Sequence, residues 1–210
     1  MNNNNRHLED IKTIKRIMED STKFLSISGL AGIFMGCFAI AGVIVARIFI
    51  SDNILIIDRF MTSFLYNKEA SRILRLLYSD ALVVLILSIV AALFFSILKA
   101  RKNKHKIWSP ISRRLLLNLA IPLLTGGFFI MITLGKIPMY VSVSITLIFY
   151  GLALVNASKF TLGEIYWFGM IEIILGLFCL IFPGYTVLFW VSGFGLLHII
   201  YGLYMHFKYK

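Results

Sequence analysis

Of 210 residues only ten are acidic, four are proline and two are cysteine. The two cysteines, Cys37 and Cys179, lie far apart inside apolar runs. That excludes a disulfide framework or a zinc ribbon, which need clustered spacing, and both are read as buried free thiols. Charged residues make up 15% of the chain, against about a quarter in an ordinary soluble domain, which excludes that class as well as a disordered chain. No phosphate-binding GxxxxGK[ST], no HExxH and no GxSxG occurs. The opening MNNNNRHLEDIKTIKRIMED has no short apolar core before a small-residue cleavage site, so the first span is expected to act as the insertion signal. What remains is apolar: 59% hydrophobic residues and a mean hydropathy of +0.86.

A membrane-spanning helix needs about 20 mostly apolar residues. Six such stretches fit, at about 24–50, 81–98, 115–134, 139–155, 162–182 and 185–207. The expected fold is therefore all-α, a polytopic integral membrane bundle forming one domain over 24–210. Residues 1–23 form a tail with an amphipathic helix, because Leu8, Ile11, Ile14, Ile17 and Met18 recur at helical spacing among charged residues. In 51–77 the faces Ile54/Ile57/Met61/Phe64/Leu65 and Ile73/Leu76/Leu77 predict two short interfacial helices. Ser28, Gly32 and Gly36 give the first span a close-packing face.

The excess of 21 basic over ten acidic residues records topology. With both termini inside, fifteen basic residues fall in cytoplasmic segments and five outside, Arg47 being the remaining one. The expected location is a bacterial cytoplasmic membrane. Lys99, Arg101, Lys102, Lys104, Lys106, Arg113 and Arg114 make an acid-free run suited to anionic lipid headgroups, and nucleic acid is not an expected partner.

Ionisable groups within a bilayer are expensive and mark candidate sites. The fifth predicted span carries Glu172 between Gly169 and Gly176; the sixth carries His198 between Gly195 and Gly202. Counting from the Pro183-Gly184 turn puts Glu172 and His198 within about 4–5 Å in depth, so direct or one-water contact is expected. Glu164 falls level with Tyr201 to Tyr204, and with Asn118 and Asn156 it is expected to line a polar pocket open to the cytoplasm. A Glu–His pair can hold two helices together, carry a proton or contribute to a metal site. Glu164 and Glu172, about 12 Å apart along one helix, cannot share one ion unaided.

The segment EIILGLFCLIFPGYTVLFWVSGFGLLHIIYGLY, a helix ending in Phe-Pro-Gly followed by a Gly-spaced helix, resembles the acid-resistance membrane protein (HdeD-like) family over about residues 163–204. The whole chain resembles small uncharacterised six-span membrane proteins of Bacteroidota. The resemblance implies a stress-related membrane role without catalytic residues or cofactors. The resulting expectation is a non-enzymatic small-molecule, lipid or stress-sensing module, acting through a membrane partner or self-association. Its rivals are a proton-coupled transporter using Glu172 and His198, and an intramembrane metalloenzyme.

Overall fold

The computed structural model describes residue 11 and residues 28–50, 68–103 and 107–209. Its helices are α1 (Gly29–Ile50), α2 (Lys68–Lys102), α3 (Pro110–Thr133), α4 (Met139–Ala157) and α5 (Glu164–Ile181). The sixth, α6, covers Pro183–Lys208. It begins as a 3-10 turn (Pro183–Tyr185), becomes α-helical (Thr186–Trp190), widens into a π-helical segment (Val191–Leu197) and returns to α-helix (His198–Lys208). These six are long and apolar enough to cross a membrane, so the chain is a multi-pass, all-α membrane protein. The expected amphipathic helix over residues 8–18, apart from Ile11, and the interfacial helix around 54–65 lie outside the described residues.

The second interfacial helix is corrected. Ile73, Leu76 and Leu77 belong to α2, a single rod of 35 residues. No proline or glycine interrupts Lys68–Lys102, and each added residue closes one more backbone hydrogen bond, so the helix runs on past the apolar stretch. At 1.5 Å per residue it is about 52 Å long, well beyond the ~30 Å hydrocarbon thickness. The basic run is likewise largely helical: Lys99–Lys102 close α2, while Arg113 and Arg114 lie in the first turns of α3. That helix starts earlier than the hydrophobic pattern suggests because Ser109 caps it. Ser109 and Ser112 satisfy each other's backbone amides, and Pro110 occupies the first turn.

The turns follow their local chemistry. Gly135, at φ 71°, takes the left-handed position after α3 that a side chain would resist. Thr186 Oγ1 donates to the Pro183 carbonyl at 2.6 Å and closes the turn into α6. The bundle thus has a hairpin end, at Gly135–Pro138 and Pro183–Gly184, and a basic end.

α6 joins two groups of helices. On one side it packs along α1, which also carries α2; on the other, its first half meets α4 and α5, and α3 leans on α4. A Cβ on Gly202 would stand 2.6 Å from the Gly29 carbonyl oxygen of α1. At the α4–α5 seam the exclusion is reciprocal. A Cβ on Gly151 would stand 2.5 Å from Gly169 O, and one on Gly169 2.6 Å from Gly151 O. Backbones this close are held by dispersion over a long contact, the principal attraction between helices in lipid. The outer faces of α2 and α3 carry exposed Leu, Ile, Val and Phe, as lipid-facing surfaces do. The thiols are both free, yet Cys37 is exposed on α1 rather than buried; Cys179 is buried.

Candidate functional site

Glu172 and His198 occupy the meeting point of α4, α5 and α6. Glu172 is 0% exposed and His198 4%. Their glycine neighbours bring the helices close: Gly169 and Gly176 press α5 onto α4, while Gly195 and Gly202 press α6 onto α1 and leave the His198 ring turned toward α4 and α5. The carboxyl group lies against Gly193, where a Cβ would come within 2.6 Å of Glu172 Oε2 and 2.5 Å of a Leu147 methyl. The missing side chain at Gly193 is what makes room for Glu172.

His198 is fixed at both nitrogens. Nδ1 lies 3.0 Å from the Gly193 carbonyl oxygen, which can only accept, so Nδ1 carries a hydrogen. Nε2 lies 2.7 Å from the Tyr150 hydroxyl. The neutral ring accepts there from Tyr150; the imidazolium donates to the same oxygen. The π-helical segment ends just before His198, and the ring reaches back five residues to Gly193. Tyr150 stacks on the imidazole at 5.3 Å, and Phe168 meets it edge-on at 4.9 Å.

Glu172 has no such anchoring. Oε1 is 3.9 Å from His198 Nδ1, too long for a hydrogen bond, and neither carboxyl oxygen has a hydrogen-bond partner among the described residues. An ionised carboxylate here would be a buried charge compensated by the adjacent imidazole alone. The expected neighbours are adjacent, with the imidazole N–H given to the backbone.

The other sequence-derived candidates lie toward the basic end. Glu164 accepts from Lys208 Nζ and, at 2.8 Å, from the Tyr209 hydroxyl; Lys208 also donates to Tyr204 Oη at 3.1 Å. Tyr201 stacks flat on Phe168, centroids 4.7 Å apart, and its buried hydroxyl has no partner. Asn118 donates to the Arg114 carbonyl of its own helix, and Asn156 is half-buried near the end of α4. Between the pair and this end lies a packed layer of Leu154, Ile165 and Phe168 with Leu119, Leu197 and Tyr201. Of the proposed headgroup contacts, Arg101, Lys102, Arg113 and Arg114 are exposed at this end, Lys99 lies 5.9 Å from the Tyr209 ring centre, and Lys104 and Lys106 are outside the described residues.

Tyr150 is a member of the site that the sequence analysis does not single out. Its position twelve residues beyond Pro138 matches the depth of Glu172, eleven residues before Pro183, so the same counting signals it. Among the described residues, no group of three or more His, Cys, Asp or Glu side chains gathers that could hold a metal ion. Comparison with family models, curated proteins and solved structures finds no match to this chain.

Proposed function

We propose that the protein is a non-enzymatic stress-sensing module of a bacterial cytoplasmic membrane, answering to protonation of the Glu172–His198 pair. One observation carries the reading: a fully buried carboxyl group without any hydrogen-bond donor sits 3.9 Å from an imidazole whose other nitrogen is tied to a tyrosine. With both groups unprotonated beyond the Nδ1 hydrogen, the pair carries one buried negative charge. One proton cancels it. His198 accepts that proton at Nε2 without changing either partner, since Tyr150 oxygen and Gly193 oxygen accept equally from the imidazolium.

The pair lies where α6 bridges the two helix groups, so its charge bears on how α6 seats against α4 and α5. The bistable element is the segment Val191–Leu197, which contains Gly193. The neighbouring Val143, Leu147 and Cys179, with Phe189, Trp190 and Phe194 packed on them, support a sensor over a proton-coupled exporter, since the buried hydroxyls on that side are already engaged, Ser142 by Tyr78 and Ser144 by the Tyr140 carbonyl. The fifteen-to-five distribution of basic residues supports a cytoplasmic basic end, and exposed Arg101, Lys102, Arg113 and Arg114 suit anionic headgroups. A membrane partner or a second copy would read the shift.

The test is amide hydrogen exchange of Val191–Leu197 in lipid vesicles across a pH series. The expected result is a pH-dependent step in protection, beyond the intrinsic exchange rate, that Glu172→Gln abolishes. An identical profile in wild type and Glu172→Gln overturns the reading.

A further inference from the structure

The surroundings of the pair differ sharply in its two directions. Toward the hairpin end lie Val143, Leu147 and Cys179, with Met139, Leu175, Phe189, Trp190 and Phe194 against them. Among the described residues, the ionisable groups toward that end include Tyr140, ten residues and about 15 Å along α4 from Tyr150, and Cys179, whose thiol donates to the Tyr140 carbonyl. Fully buried Leu147 stands between. From α2 come Tyr78, whose hydroxyl is spent on Ser142 Oγ at 3.0 Å, and Asp80, whose carboxylate lies beside Gly42 of α1. On the α1 side, Gly29 to Ala46 holds no ionisable residue except exposed Cys37.

Toward the basic end, hydroxyl and carboxyl groups succeed one another. Tyr150 and Tyr201 pack on the same layer of Leu154, Ile165 and Phe168, and Phe168 meets the Tyr150 ring edge-on at 6.3 Å. Tyr201 is the next of these hydroxyl groups toward the basic end. It lies one helical turn from His198 on α6, and Phe168 bridges the two rings, stacked on one and edge-on to the other. The Tyr201 hydroxyl is buried without a partner in the otherwise apolar layer. Such a group is ordinarily satisfied by an ordered water. Beyond it, Glu164, Lys208 and Tyr209 form the polar cluster at the aqueous surface.

We infer that the buried pair exchanges protons with the basic end only, through a relay in which water-linked Tyr201 hands on to Tyr150 and His198. The inference rests on the sensing role proposed for that pair and specifies which compartment it samples. In the uptake step a hydronium ion at the basic end gives a proton through a bridging water to the Tyr201 oxygen, while the original Tyr201 proton leaves through a second water to the Tyr150 oxygen. The Tyr150 proton passes to His198 Nε2. One hydronium becomes water, both phenols are restored, and the imidazole becomes imidazolium beside Glu172.

The experiment uses the full chain inserted in one orientation in sealed vesicles of zwitterionic lipid. Acid is delivered to one face, and the infrared signature of the Glu172–His198 pair, assigned by its loss in Glu172→Gln, is followed in time. Acid on the basic face is expected to produce the signal promptly, and acid on the hairpin face only at the rate of bulk leak. Tyr201→Phe keeps the ring on Phe168 and should slow the basic-face response at least tenfold with an unchanged endpoint; Tyr201→His should restore much of the rate. The unchanged endpoint certifies folding, and if Tyr201→Phe fails to fold, the comparison of the two faces decides alone. Equal rates from both faces, or an undiminished rate in folded Tyr201→Phe, overturn the relay and leave the sensing reading standing. Absence of any pair signal at either face in wild type overturns both.

Discussion

Glu164 and Glu172 lie eight residues apart on one helix, and their surroundings are opposite. Glu164 is partly exposed and accepts from an ammonium group and a phenol at the basic end. Glu172 is sealed among Leu147, Gly193 and His198, with both oxygens unpartnered. The first arrangement is that of an anchor: charge, partners and water all agree, and its net contribution is small because water competes for the same groups. The second is unresolved by design of the packing, since one more proton changes its charge balance inside a low-dielectric core. Position along a helix, at equal chemistry, separates an acid paired at the surface from one buried without a partner among the described residues.

The contrast breaks most completely at Gly193. Gly193→Leu drives a side chain into the space held by Glu172 and Leu147, and the protein is expected to lose several kcal/mol of stability or fail to fold, measured by unfolding in detergent. Next is Tyr150→Phe. It leaves His198 Nε2 buried without its partner, a cost of about 1–3 kcal/mol, and thermal unfolding should show it clearly. Glu172→Gln should retain nearly wild-type stability, because the shape is kept and no donor to the carboxylate is lost. It should nevertheless erase the pH response of Val191–Leu197. The smallest effect belongs to Glu164→Gln: a slight loss of thermal stability that shrinks further as salt screens the wild-type ion pair. A Glu164→Gln effect as large as that of Tyr150→Phe would remove the distinction between the two acids.

Much of this architecture was legible in the residues. Six apolar stretches became six spanning helices because lipid leaves the backbone few alternatives to helix. The glycine-framed faces of Glu172 and His198 do pack on neighbouring helices. The glycines choose different ones, α4 for Gly169 and Gly176 and α1 for Gly195 and Gly202, while the His198 ring turns to Tyr150 of α4 and Phe168 of α5, a pairing that one-dimensional periodicity does not encode. The length of α2 was hidden because hydropathy marks where apolar residues stop, whereas a helix stops only where a breaker or cap stops it. Ser109 and Pro110 are such a signal, and they set the start of α3 earlier than hydropathy does. The π-helical segment left no trace in the hydrophobic pattern, since Val191–Leu197 is apolar or small under either winding. Tyr150 is legible only by depth, because surface and buried tyrosines look alike until counted from a turn.

The central claim is that His198, fixed by Gly193 and Tyr150, takes up a titrating proton at Nε2 under the influence of the Glu172 carboxylate beside it. Solid-state nitrogen NMR of ring-labelled His198 in lipid, across a pH series, tests it most directly. The expected result is a ring protonated at Nδ1 throughout, with Nε2 in hydrogen-bond contact, and a titration that shifts when Glu172 is replaced by Gln. A ring bare at Nδ1, or a titration unchanged in Glu172→Gln, would contradict the account.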